Sequence, residues 1–237
     1  MTPTIVLVHG AFADSSSWDA VIDPLKDAGH PVIAAANPLR GLASDAEAIG
    51  DVVRSIDGPV VLVAHSYGGA VISNVASDAG EVTALVYVNG FAPDAGESAF
   101  ELAAKFPGST TGDAVRPTPR SDGTTDLTIA PELFRENFCG DLLDAQAARM
   151  AVTQRPATVE ALQEPSGQHP LWKDVPSWFL IGEEDRNIPA GLHRFMAERA
   201  RSRRTVEIPG ASHAISVSQP EATADLILEA TGVPVSA

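Results

Sequence analysis

Six short apolar runs, at 4–8, 31–35, 59–64, 83–88, 177–181 and 204–208, are separated by helical stretches near 16–29, 42–56, 67–79, 190–200 and 219–231. Strands that are apolar on both faces must be covered on both faces, and alternation with helices achieves this as a parallel sheet between two helical layers. The expected class is therefore α/β, with a six-stranded, mostly parallel sheet. At 237 residues the chain has the length of one such domain, enough to bury most of its apolar surface in a single core.

The third run ends unusually. Residues 60–69 read Val-Val-Leu-Val-Ala-His-Ser-Tyr-Gly-Gly, a buried-strand pattern leading into a serine between small residues. A nucleophile at a strand-to-helix elbow needs a strained backbone at the serine and little side chain on either flank, because the helix crosses close to the strand there. The usual pattern is G-x-S-x-G. Here Ala64 replaces the first glycine, while Gly68 and Gly69 keep the helix side open. Small residues also surround serines at plain βα turns, so the pentapeptide alone leaves Ser66 a candidate.

Two further strand ends supply partners in the order serine, acid, histidine. Val175-Pro-Ser-Trp-Phe-Leu-Ile-Gly182 runs into Glu183, Glu184 and Asp185, and Pro189 suits the start of the next helix. That leaves Asp185 mid-loop and able to point back over the sheet, with Glu184 second and both glutamates read as solvated loop charges. After Thr205-Val-Glu-Ile208 comes Pro209-Gly-Ala-Ser-His213. His213 sits in a glycine-containing loop free to reach the serine. His30 and His193, at a helix end and within a helix, are read as surface residues; His169 lies in a loop. His9 and His65 are read as packing histidines beneath the site.

A fourth element is His9-Gly10-Ala11-Phe12, directly after the first strand. Acyl transfer builds charge on a carbonyl oxygen, and backbone N–H groups aimed at it are worth several kcal/mol. Gly10 lets the chain turn so that the Ala11 amide faces the site; the second donor is the amide of Tyr67 at its helix N-terminus. The same four residues also suit a plain strand-ending turn.

With these motifs the chain resembles a serine α/β-hydrolase, and within that superfamily the compact branch of plant methylesterases, hydroxynitrile lyases and bacterial carboxylesterases. The resemblance rests on Val8-His9-Gly10-Ala11-Phe12, Ala64-His65-Ser66-Tyr67-Gly68-Gly69, Gly182-Glu-Glu-Asp185-Arg-Asn-Ile-Pro189, and Ser212-His213 with Ser218-Gln-Pro220. It implies Ser66 as nucleophile, His213 as general base and acid, Asp185 as the residue orienting the imidazole, and no cofactor or metal. It also implies a sheet trimmed to six strands, because the two that usually precede the His-Gly strand have no room here. The expected reaction is hydrolysis of a small ester. A lysine close after the histidine, as hydroxynitrile lyases have, is missing: Ala214-Ile215-Ser216 follow. Cofactor-free haloperoxidase-type or lyase activity and a slow-turnover small-ligand receptor are alternatives on the same site.

The interval 94–174 is too long for one crossover and resembles the cap that covers the nucleophile in this superfamily, leaving 1–93 and 175–237 as the core. Helical stretches are expected at 131–139 and 141–153. Its apolar residues Phe100, Phe106, Phe134, Phe138, Met150 and Trp172 are candidates for a substrate pocket, with Phe12 from the core, or for packing cap onto core. Phe12, Phe134, Phe138 and Trp172 are the substrate-contact expectations.

A net charge of −15 disfavours nucleic acid as a partner. The one basic cluster, Arg199 to Arg204, reads as a solvated helix end. The lone Cys139 excludes an internal disulfide and reads as a buried thiol. The N-terminal residues enter a strand without a basic, apolar leader, so a cytoplasmic protein with no membrane partner is expected. The arginine, alanine and glycine bias points to a GC-rich bacterial gene.

Overall fold

The computed structural model describes residues 1–232; residues 233–237, the end of the 175–237 segment, lie outside the described residues. In chain order the strands are β1 Thr4–Val8, β2 Val32–Ala35, β3 Pro59–Ser66, β4 Glu81–Gly90, β5 Val115–Pro119, β6 Thr125–Ile129, β7 Ala157–Thr158, β8 Ser177–Gly182 and β9 Arg204–Ile208. Six form one sheet in the order β2-β1-β3-β4-β8-β9, with every neighbouring pair parallel. These are the six apolar runs of the sequence.

Period-two alternation divides the strands between two cores. Val6, Val8, Leu62, Ala64, Leu85, Tyr87, Phe179 and Ile181 face one side. Ile5, Leu7, Val61, Val63, Val86, Val88 and Leu180 face the other, under Trp18, Leu25 and Ile227. Helices Leu42–Arg54, Tyr67–Ser73 and Ala190–Arg199 contribute to the first core; Asp19–Asp27 and Pro220–Ala230 contribute to the second.

The chain leaves β1 for the outer neighbour β2, then returns to build β3 on the other side. Connections from β1 and β3 therefore diverge, and a crevice opens outside their carboxyl ends. Both motif loops, Gly10–Phe12 and the Ser66 elbow, lie there.

Three features differ from the sequence reading. The helix expected over 67–79 stops at Ser73, where the Asn74 side chain donates to the Ala70 carbonyl (2.9 Å) and accepts from the Gly167 amide (2.7 Å). Asparagine competes in this way with the helical backbone pattern. Within 94–174, helices Pro131–Phe138 and Asp144–Thr153 match the expected stretches, but β5, β6 and β7 form an unforeseen antiparallel sheet. Arg199 is not a solvated charge: its guanidinium donates to the Ala92 carbonyl and to Glu97, each at 2.6 Å.

Candidate active site

Ser66 ends β3 with φ 54° and ψ −127°, a sparsely populated conformation that costs on the order of 1–3 kcal/mol. Neighbouring glycines make it sterically possible. A Cβ on Gly10 would lie 2.5 Å from the Ser66 Cβ, and one on Gly68 would lie 2.7 Å from the Val8 carbonyl oxygen. The first turn of the Tyr67–Ser73 helix is thus held against the end of β1. Tyr67 is anchored by its hydroxyl, which donates to Asp45 at 2.8 Å. Burial pushes the Asp45 carboxyl up, opposed by the Arg40 amide and the Tyr67 hydroxyl.

His213 Nε2 lies 2.9 Å from Ser66 Oγ, and His213 Nδ1 lies 2.7 Å from Asp185 Oδ2. The carboxylate accepts only, so Nδ1 carries the proton and Nε2 is left to accept from the serine. Asp185 Oδ1 accepts from the amides of Asn187 (2.7 Å) and Ile188 (2.8 Å). Burial acts to raise the Asp185 carboxyl, but the His213 imidazole and the hydrogen bond from His193 outweigh it and hold the group below the usual carboxylate range. Glu183 and Glu184 are exposed, whereas Asp185 is buried. A buried serine, imidazole and carboxylate in hydrogen-bonded series can take a proton from the hydroxyl and return it to a leaving group.

Other polar groups hold the histidine loop. Asn89, next to last in β4, has φ 43° and is fully buried. Its amide donates to the carbonyls of Ser212 (2.9 Å) and His213 (3.1 Å), and its carbonyl accepts from the Gly182 amide (2.7 Å). Acid loop and histidine loop are therefore tied through one side chain. His65 Nε2 donates to the His213 carbonyl at 2.9 Å. Burial, reinforced by His213, lowers its proton affinity to a pKa of about 3, so it stays neutral at physiological pH. His9 Nε2 accepts from the Asn37 amide (3.0 Å) and Nδ1 donates to the Gly10 carbonyl (2.9 Å). From the inserted segment, Asp141 accepts from the Ser212 hydroxyl and amide, and the Phe138 carbonyl accepts from the Ala214 amide (3.0 Å).

Residues 5–226 match the alpha/beta hydrolase family. The chain belongs to that family. It is 26% identical over 250 residues to Methylesterase 9 of Arabidopsis thaliana, covering 94% of this chain and 96% of the relative. It is also 26% identical over 252 residues to a pyrethroid hydrolase of Sphingobium wenxiniae, covering 99% and 90%. In three dimensions it is similar to polyneuridine aldehyde esterase, with a TM-score of 0.81 at 19% identity over 97% of this chain and 99% of the other, which speaks to the fold.

In this alpha/beta hydrolase, Ser66 opens on a cavity of about 450 Å3. Ala11, Phe12 and Tyr67 line it beside the serine; Phe100, Phe106, Val115, Leu127 and Leu162 line it from the inserted segment, and none of its lining side chains is charged. The Phe12 amide is taken by the Arg155 carbonyl (3.2 Å). Phe12 also borders a second cavity of about 80 Å3, with Met150 and Val217.

Phe134, Phe138 and Trp172, expected against substrate, are not among the cavity walls. Phe138 packs edge-on to the His213 ring (4.9 Å between centroids), and Phe134 backs Phe138 at 5.0 Å. Both are buried where Pro131–Phe138 meets the core. Trp172 donates from Nε1 to the Pro93 carbonyl (2.8 Å), closing the junction between inserted segment and core.

Two histidines read as surface residues are buried. His30 places Nδ1 3.0 Å from the Pro3 carbonyl, and His193 places Nε2 3.2 Å from Asp185 Oδ2. A signal for His193 existed: it shares the buried face of its helix with Met196 and Ala197, three and four residues on. For Asn89 the signal was a polar residue before glycine at the end of an apolar strand. Cys139 is buried, and burial pushes its thiol up to about 12.

Among the described residues, no group of three or more His, Cys, Asp or Glu side chains is placed to hold a metal ion. No described helix is long and apolar enough to cross a membrane.

Proposed function

We propose that this protein is a serine esterase that cleaves small, uncharged carboxylic esters through an acyl-enzyme. The observation that carries the reading is the hydrogen-bonded series Ser66–His213–Asp185 opening on an uncharged, mainly apolar cavity. The ester carbonyl sits against Ser66, and His213 Nε2 takes the hydroxyl proton as Oγ attacks. Negative charge develops on the carbonyl oxygen between the Ala11 and Tyr67 amides. Ala11 is assigned over Phe12 because the Phe12 amide is already engaged by Arg155. Removing one such donor costs a hundred- to a thousandfold in turnover as an order of magnitude. His213 then gives its proton to the departing alcohol, and water repeats the sequence on the acyl-Ser66 ester. Asp185 keeps the imidazole in the required tautomer throughout. These steps use neither metal nor organic cofactor.

A cavity without a charged wall offers no counter-charge to an ionised substrate that must leave its water, so neutral esters are favoured. The esterase activity named for the methylesterase relative and the hydrolase activity named for the pyrethroid hydrolase relative support this class.

The test is a fluorophosphonate probe with multiple-turnover assays on a panel of aryl esters. Wild type should label at Ser66 and turn over repeatedly. Ser66→Ala should lose labelling and about a millionfold in turnover while keeping its circular dichroism spectrum. Labelling elsewhere, or an active Ser66→Ala protein, overturns the mechanism; a stoichiometric burst without turnover indicates a receptor.

A further inference from the structure

Asp185 receives four hydrogen bonds, and one comes from an imidazole outside the Ser66–His213–Asp185 series. Oδ1 takes the Asn187 and Ile188 amides, while Oδ2 takes His213 Nδ1 at 2.7 Å and His193 Nε2 at 3.2 Å. Four donors fill the lone-pair sites of a carboxylate. The His193 side chain is fully buried, and its Nδ1 finds no partner among the described residues. The reversed tautomer would turn a lone pair toward the carboxylate and leave a buried N–H unpaired, so His193 donates from Nε2.

We propose that His193 is a positioning residue of this site, a second imidazole that pins Asp185 Oδ2 in line with His213 and draws off part of the charge the carboxylate offers it. The proposal rests on the Ser66–His213–Asp185 reading. A carboxylate oxygen shared between two N–H donors stabilises each partner's positive charge less than it would stabilise one alone. Removing His193 therefore leaves Asp185 freer to move and more able to hold a proton on His213. The ionisable groups around His193 are Asp185 and His213 on the site side, and Glu207 of β9, which is paired with Arg194 at 2.6 Å. Since Glu207 already has a cationic partner, the Asp185 contact is the one that distinguishes His193 from a core residue.

The experiment measures the rate of fluorophosphonate labelling, and kcat and KM on an aryl ester, against pH for wild type, His193→Leu and His193→Gln. His193→Leu should move the acid limb of both profiles to higher pH and lower the plateau kcat about tenfold with KM little changed, as expected for a displaced catalytic group. His193→Gln, whose amide N–H reaches the same oxygen, should restore both. A leucine variant with the wild-type profile, or a glutamine variant as impaired as the leucine one, overturns the proposal. Should the leucine variant not fold, 15N spectra of the wild-type imidazoles decide: His193 protonated on Nε2 and bare on Nδ1 supports it, and the reverse tautomer overturns it. Failure of Ser66 to label would instead sink the esterase reading, and the 15N spectra would still report on the His193 contact.

Discussion

The ends of the central strands and the inserted segment 94–174 face each other across one cavity, and they are built differently. At the strand ends three polar groups are fixed several times over: Asp185 by four donors, Asn89 through three hydrogen bonds, the His213 carbonyl by two. Across the cavity, Phe100, Phe106, Val115, Leu127 and Leu162 present apolar surface. Several of the insert's polar fastenings lie off the cavity, at Arg40–Asp126, Arg199–Glu97 and Asp141–Ser212, and one lies on its wall, where the Thr111 hydroxyl donates to Asn187 (2.9 Å). Dense hydrogen bonding suits groups that must keep sub-ångström geometry during proton transfer, whereas apolar walls discriminate substrates by shape. Rate and selectivity should therefore respond to different substitutions.

The largest break in that contrast is expected at the acid. Asp185→Asn should lower turnover by about four orders of magnitude on every ester in a panel, because the amide favours the wrong imidazole tautomer. Glu184→Gln, on an exposed side chain, should leave the rates nearly unchanged. Equal losses in the two variants would place the orienting acid at the wrong carboxylate.

Next comes the insert. Leu127→Trp narrows the cavity and should reduce kcat/KM for long acyl esters relative to short ones by roughly tenfold or more. Phe134→Ala should leave that ratio alone and lower stability by about 3–5 kcal/mol, since the ring is wholly buried off the cavity. A changed acyl preference in the Phe134 variant would mean the two walls are not separable. Chemical denaturation and a chain-length series measure both.

The smallest effect concerns the fastening at Glu97. Burial would raise its carboxyl, but Arg199, the Asp94 amide and Lys105 hold it at about 2, against an ordinary 4.5. A carboxylate depressed in the folded state contributes stability that is present above its unfolded value and lost as pH falls toward the folded one. Glu97→Gln should thus melt a few degrees lower than wild type at pH 7, and the gap should close between about pH 4.5 and 2. A constant gap across that window would assign the loss to packing instead.

Legibility in the sequence followed the same division. Strands buried on both faces announce themselves as apolar runs, and β3 and β4 extend only a residue or two beyond the runs at 59–64 and 83–88. The loops after them carry Ser66, Asp185 and His213, which the fold brings together. By contrast β5 reads Val-Arg-Pro-Thr-Pro, mostly exposed and with two prolines, a composition tolerated only at a sheet edge. Nothing apolar marked it as a strand. The phenylalanines of 94–174 were equally ambiguous, because burial against the core and exposure to the cavity demand the same side chain. Phe106 lines the cavity and Phe134 packs against Phe138, a difference that composition does not carry.

The pairing of β4 with β8 has a consequence for how such a chain can change. Departure at Pro93 and return at Val175 serve two adjacent parallel strands, so the interval leaves at the carboxyl edge of the sheet and re-enters at its amino edge. Whatever lies between has only to make that one crossover, so the length it adds over the crevice is free of the register that aligns Ser66, Asp185 and His213. An exchange of this interval between relatives is thus a modular change of taste, limited mainly by the contacts that Phe138 and Asp141 make with the histidine loop.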